Sequence, residues 1–173
     1  ALVKTGLAVT GEICDMTPDM PTLTYNRIGR HISRIVRTRV VSAMSPWAMH
    51  PSVVDQRNHL IAISHGEGRF VCDEATAKRL FEKGQVFTQY VDEFGRPAIT
   101  EPDNPNGSAY AIEGITSPDG HVLGKMGHSE RGVGMEPNGS SFDLFKNVGG
   151  NPLTNPIETT CQNIFAAGVS YFK

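Results

Sequence analysis

The chain has 173 residues, 39% of them hydrophobic and 20% charged, which suits one domain and leaves little room for two. A formal net charge of −2 supplies no general attraction to nucleic acid or to an anionic membrane surface. No apolar run approaches the roughly 20 residues that a membrane-crossing helix needs.

Residues 1–9 read as the end of a helix, with Gly6 or Gly11 as the stop. Residues 15–26, rich in Pro, Thr and Met, read as an extended loop. Ser33 to Ser42 is β-branched and predicts a strand, but both of its faces mix polar and apolar residues, so its buried side stays open. Ser42–Pro51 is turn-like at its two prolines. Leu60 to Ser64 is a short apolar run, the pattern of a buried strand, feeding the glycine loop HGEGRF. Asp73 to Lys83 is the clearest helix, with Asp73 as its cap, an inward stripe of Ala77, Leu80 and Phe81, and Gly84 at the stop. Gln85–Asp92 alternates as a strand does. Glu101–Ser108 is dense turn chemistry. Ile112 to Thr116 and His121 to Met126 read as two strands joined by the SPDG hairpin, Ser117–Gly120. A Gly-, Asn- and Pro-rich loop then runs from Arg131 to about Asn155, broken by a short helix in SSFDLFKNV. The segment ETTCQNIFAAGVSYFK predicts a last helix with Ile164, Phe165 and Val169 inward and Cys161 within it.

Three constellations can carry chemistry. In MGHSER, His128 and Glu130 follow a predicted strand; residues two apart in extended backbone share a side, and a carboxylate beside an imidazole fixes its tautomer, as a general base requires. The competing reading is two surface polar residues at a strand end. In SHGEGRF, Gly66 and Gly68 let backbone N–H groups approach a polar ligand, with His65, Glu67 and Arg69 alongside; the competing reading is a tight turn that needs glycine. His50, His59, His65 and Cys72 fit no common zinc spacing, so no metal site is expected. The arginines at 27, 30, 34, 37 and 39 suit either a phosphate or partner contact or a solvated surface. The three cysteines, Cys14, Cys72 and Cys161, are widely spread, which suits free thiols in a reducing cytosol. None sits in a G-x-C-x-G elbow, so a base and an orienting acid appear without a nucleophile.

HGEGRF at 65–70, FTQYVD at 87–92, NPNGS at 104–108, GITS at 114–117 and GHSER at 127–131 occur in order and at sensible spacing. On these segments the chain resembles the glutaminase domain of the phosphoribosylformylglycinamidine synthase family. The resemblance runs across most of the chain and is weakest over 132–160. It implies an α/β class I glutamine amidotransferase fold, flavodoxin-like, with a mixed central sheet flanked by helices. It also implies a Cys-His-Glu triad in which His128 is the base and Glu130 its orienting partner, with the loop His65, Gly66, Glu67, Gly68 and Arg69 shaping the glutamine pocket or a domain contact. The family pattern there reads PHPER; here Gly127 and Ser129 replace the prolines, a change expected to preserve the chemistry but loosen the local backbone.

The resemblance further implies that the cysteine belongs to a C-N-G-x-Q elbow followed by a segment like ALVKTGL. Residues 1–173 are therefore expected to form the C-terminal portion of one glutaminase domain, beginning just after that elbow and inactive alone. No cofactor is expected in this part; ATP and Mg²⁺ would bind in the synthase part, where ammonia converts formylglycinamide ribonucleotide to the amidine in purine biosynthesis, in the cytoplasm. Expected partners are glutamine, the synthase domains and a second copy of this chain, with neither nucleic acid nor membrane. Two alternatives remain: a non-catalytic docking module, or a cysteine hydrolase using Cys14 or Cys72.

Overall fold

The β-branched run after His31 forms the long strand on which the sheet is built. Numbered in chain order, the elements are α1 (Leu7–Thr10), β1 (Thr22–Thr24), β2 (Ile32–Val40), α2 (Pro51–Val54), β3 (Asn58–His65), β4 (Arg69–Val71) and α3 (Glu74–Glu82). They continue with β5 (Val86–Tyr90), β6 (Ile112–Thr116), β7 (Leu123–Lys125), β8 (Gly127–His128), β9 (Glu158–Thr159) and α4 (Ile164–Tyr171). The structure is a computed structural model and describes residues 1–55, 57–131, 158–159 and 162–173. The helix expected in SSFDLFKNV and the thiol of Cys161 lie outside the described residues.

Among the described residues the main sheet runs β7-β6-β5-β2-β3-β8, with β9 also beside β3. Every pairing in it is antiparallel except β3 with β9, which is parallel, so the sheet is mixed as expected. The β2–β3 register runs from Ile32 opposite His65 to Thr38 opposite His59. The inward side of β2 is the one carrying Ile32, Val36 and Thr38, which are buried. β3 is buried from Asn58 to Ile63, which explains its continuous apolar run in a strand that has neighbours on both edges.

Ala8 and Val9 of α1 and Leu80 of α3 pack with Phe70, Val86, Ile112 and Ile115. A second cluster joins Ile32, Val36, Ile63, Tyr90 and Ala111. Val53 of α2 and Ile164 of α4 pack with Ala48 and Phe87.

Local chemistry sets several boundaries. α1 is only one turn long and lies between two left-handed glycines, so Gly11 stops it and Gly6 starts it. α3 is capped as expected, the Asp73 carboxylate accepting from Thr76 N–H at 2.7 Å. Phe81 departs from the expected inward stripe and is 38% exposed, because Thr76, Ala77 and Leu80 already fill the buried side of a nine-residue helix. α4 begins six residues later than the start of the predicted segment, since Glu158–Thr159 pairs with β3 and the Asn163 side chain caps the helix through Ala166 N–H. Phe165 and Val169 face outward, 48% and 56% exposed; Ile164 and Ala167 are the buried residues. The reason is the flat ring beneath the helix: a Cβ on Gly168 would lie 2.8 Å from Trp47 Cζ3, so the helix approaches through its small side chains. Two consecutive left-handed residues, Tyr110 and Ala111, turn the chain into β6, and the Gln89 amide donates to the Tyr110 carbonyl at 2.8 Å.

Candidate functional site

β8 pairs with β3, setting Gly127 opposite Ile63 and His128 opposite Ala62. The strand ends at His128 and a 3-10 turn takes over at Ser129–Arg131. The two side chains still meet, His128 Nδ1 standing 2.7 Å from Glu130 Oε1, but across a strand-to-turn junction rather than along continuous extended backbone. A carboxylate only accepts, so Nδ1 carries the proton and Nε2 presents a lone pair. The imidazole is 32% exposed and the carboxylate 55%. Partial desolvation raises the Glu130 pKa, but its own backbone N–H, the bond from His128 and the charges of His128 and Arg131 outweigh that and hold it below the ordinary value.

Gly127 and Ser129 are buried: Gly127 N–H donates to Glu113, and Lys125 Nζ donates to the Gly127 carbonyl and the Ser129 hydroxyl. Met126 and Lys125 also line a cavity of about 120 Å³ together with Ala1, Leu2 and Val3. The first residues of the chain and the strand leading into His128 therefore share one wall.

The glycine loop begins where β3 ends. The Asn26 amide donates to the carbonyls of His65 and Arg30, while its oxygen accepts from Gly68 N–H at 3.2 Å and lies 3.0 Å from His65 Nδ1. His65 Nδ1 is consequently the protonated nitrogen, and His65 Nε2 is a buried acceptor without a partner. Burial lowers the His65 pKa, and the nearby charges of His31 and His128 push the same way, while Glu113 opposes them. His65 thus lies within electrostatic reach of His128.

The backbone of Gly68 is already used: its carbonyl accepts from Asn106 Nδ2 at 2.8 Å as well as from Ser108. A Cβ on Gly68 would lie 2.2 Å from the His65 ring, so this glycine makes room for an imidazole; Gly66 faces open space. Glu67 is exposed and pairs with Lys4 at 3.1 Å, and Arg69 Nε donates to the Gly107 carbonyl.

The other sequence candidates do not join this site. His50 caps α2 through Ser52 N–H, and His59 is buried against the Ser52 carbonyl. Among the described residues no three His, Cys, Asp or Glu side chains are grouped to hold a metal ion. Arg37 pairs with Asp103 at 3.6 Å and Arg39 donates to the Gly95 carbonyl, so the arginine run divides among separate contacts. Burial, then the charge of Asp73, pushes the Cys72 thiol up to about 11. Cys14 is exposed, with the Thr10 hydroxyl 3.9 Å from its sulfur. Sequence reasoning missed Asn26, Glu113 and Lys125. The one signal available was a charged residue inside each of two short strands, Glu113 in IEGIT and Lys125 in LGK.

A hydrogen-bonded imidazole–carboxylate pair therefore stands at the end of a strand of the main sheet. The chain belongs to the CobB/CobQ-like glutamine amidotransferase domain family, whose model matches residues 1–172. Two relatives from strains of Methanococcus maripaludis, each named phosphoribosylformylglycinamidine synthase subunit PurQ, are 40% and 46% identical over 119 residues, which is 65% of this chain and 42% and 43% of theirs. The protein of that name from Synechocystis is 38% identical over 109 residues, 63% of this chain and 47% of that one. The chain thus spans less than half the length of the curated relatives it matches. A solved structure of PurLQS from Thermotoga maritima superposes with a TM-score of 0.55 at 22% identity, over 88% of this chain and 53% of that one, a likeness of fold.

Proposed function

We propose that the chain is part of the glutaminase of a phosphoribosylformylglycinamidine synthase, and that it contributes the base His128 and the orienting acid Glu130. The observation that carries this reading is the 2.7 Å bond from His128 Nδ1 to Glu130, which leaves Nε2 available to a thiol. The relatives' shared name supports the synthase assignment. We place the nucleophilic cysteine in a part of the protein outside residues 1–173.

The thiolate attacks the side-chain amide carbon of glutamine, with Nε2 having accepted the thiol proton. The tetrahedral intermediate collapses as His128 returns that proton to the departing ammonia. Water, deprotonated by the same nitrogen, then releases glutamate. Glu130 holds the tautomer and stabilises the imidazolium throughout. His65, through its unpartnered Nε2, is assigned to the pocket wall as an acceptor for a substrate N–H. Ammonia passes to synthase domains that bind ATP and Mg²⁺, in a cytoplasmic setting suited to free thiols.

The hydrolase alternative using Cys72 is disfavoured, because a thiol pushed to about 11 is a poor source of thiolate at neutral pH. The test uses the intact protein with its upstream residues. His128→Ala should cut glutamine hydrolysis by at least about 100-fold, while Cys14→Ser and Cys72→Ser leave it intact. Full activity in His128→Ala, or loss in either serine variant, would overturn the assignment.

A further inference from the structure

The residues on both sides of His128 are tied to one buried ion pair. Gly127 N–H donates to Glu113 Oε1 at 2.5 Å, and the Gly127 carbonyl accepts from Lys125 Nζ at 3.1 Å. The Ser129 hydroxyl accepts from Lys125 Nζ at 3.2 Å and donates to Gln162 Oε1 at 2.7 Å. Lys125 Nζ lies 3.6 Å from Glu113 Oε1, with the side chains 7% and 0% exposed. The other carboxylate oxygen accepts from the Thr88 hydroxyl, and the Glu113 carbonyl accepts from Met126 N–H at 3.2 Å.

Burying an ammonium and a carboxylate costs enough desolvation that apolar residues of the same volume often serve stability equally well. The informative feature is therefore what the two charges hold. They hold the two peptide groups of Gly127 that precede the imidazole and the hydroxyl of Ser129 that follows it. Gly127 makes the contact feasible: a Cβ there would lie 2.4 Å from Ile61 Cγ2 and 3.0 Å from both Glu113 Oε1 and Lys125 Nζ. A proline would have no N–H to donate.

We propose that Glu113 and Lys125 are positioning residues for His128: their buried pair fixes the Gly127 backbone before the imidazole and the Ser129 hydroxyl after it, so that the imidazole meets Glu130. The inference rests on His128 acting as the glutaminase base.

The experiment compares Glu113→Gln, Lys125→Met, the double variant and Ser129→Ala by two readouts. In the 173-residue chain, NMR follows the downfield, slowly exchanging Nδ1–H of His128, assigned by its loss in His128→Gln. In the intact glutaminase, kcat and KM for glutamine are measured. Each charge variant should lose the Nδ1–H signal and lower kcat about 10- to 100-fold, as expected for a displaced catalytic group, with KM changed less than about twofold. The double variant should be less impaired than the product of the singles, because neither charge is then left unpaired. A lowered melting temperature with the Nδ1–H signal and kcat unchanged would overturn the proposal. If the charge variants do not fold, Ser129→Ala decides, since it removes one hydroxyl and leaves the ion pair: a lowered kcat supports the proposal and an unchanged one refutes it. Should His128→Ala retain glutaminase activity, the reading of His128 as base fails, while the Nδ1–H signal still reports whether the pair holds the imidazole.

Discussion

The two glycines of the HGEG loop separate two physical roles, and an alanine at each tests the division. Neither has a positive φ, so alanine is conformationally allowed at both. At Gly66 a methyl meets nothing within 4 Å. The substitution there should be neutral or stabilise by up to about 1 kcal/mol through lost freedom of the unfolded chain. At Gly68 the methyl would stand 2.2 Å from His65 Cε1 and Nδ1, so the ring must leave. Leaving costs the bond to Asn26, about 1 kcal/mol, and a comparable amount of ring packing. Gly68→Ala should therefore fall about 2 kcal/mol below Gly66→Ala, a melting-temperature gap of roughly 4–8 °C at this chain length. Differential scanning fluorimetry on both variants measures it. The displaced imidazole should also titrate closer to its ordinary value of 6.5, since burial is the main cause of its lowered pKa. Equal melting temperatures, or a larger loss at Gly66, would show that the ring does not occupy the space that Gly68 provides.

Burial holds the His59 imidazole below 6.5 despite the lift from the Ser52 carbonyl and Asp55; the unfolded chain then binds the extra proton first, so stability is full above about pH 6.5 and falls as pH drops toward the folded-state pKa. Urea midpoints at pH 8 and pH 5.5 should differ in the parent and differ less in His59→Gln, and a flat parent profile would refute this. Iodoacetamide should label the exposed Cys14 well before Cys72, whose thiol is pushed up to about 11; mass spectrometry showing the reverse order would contradict that burial. Phe165, Val169 and Phe172, at 48%, 56% and 86% exposed, should drive concentration-dependent self-association, and light scattering that stays monomeric over a tenfold dilution would count against it.

The elements that were legible from sequence are those whose cause is local. β5 and β6 alternate or run apolar between turn residues, α3 has its Asp73 cap, and the SPDG hairpin joins β6 to β7, each decided by neighbours within a few positions. The buried side of β2 was not legible, because it depends on residues far along the chain that pack with it, Ile63, Tyr90 and Ala111. The outward Phe165 and Val169 misled periodicity for the same reason. Which helix face is buried was set in part by Trp47, more than a hundred positions earlier, whose ring leaves no room for a Cβ at Gly168.

The candidate site divides along the same line. His128 and Glu130 are two residues apart, so their contact could be inferred from the chain alone. Their support could not, since Glu113 reaches Gly127 from another strand, Gln162 reaches Ser129 from 33 positions away, and Asn26 reaches His65 across 39. A charged residue within an apolar strand is ambiguous in sequence. It reads as a solvated edge residue until the opposite charge is seen buried beside it, and only then as a constraint on what lies between them. Here that intervening feature is the backbone carrying His128. A motif match locates the reacting groups, whereas the accuracy with which they are held is decided by residues outside the motif.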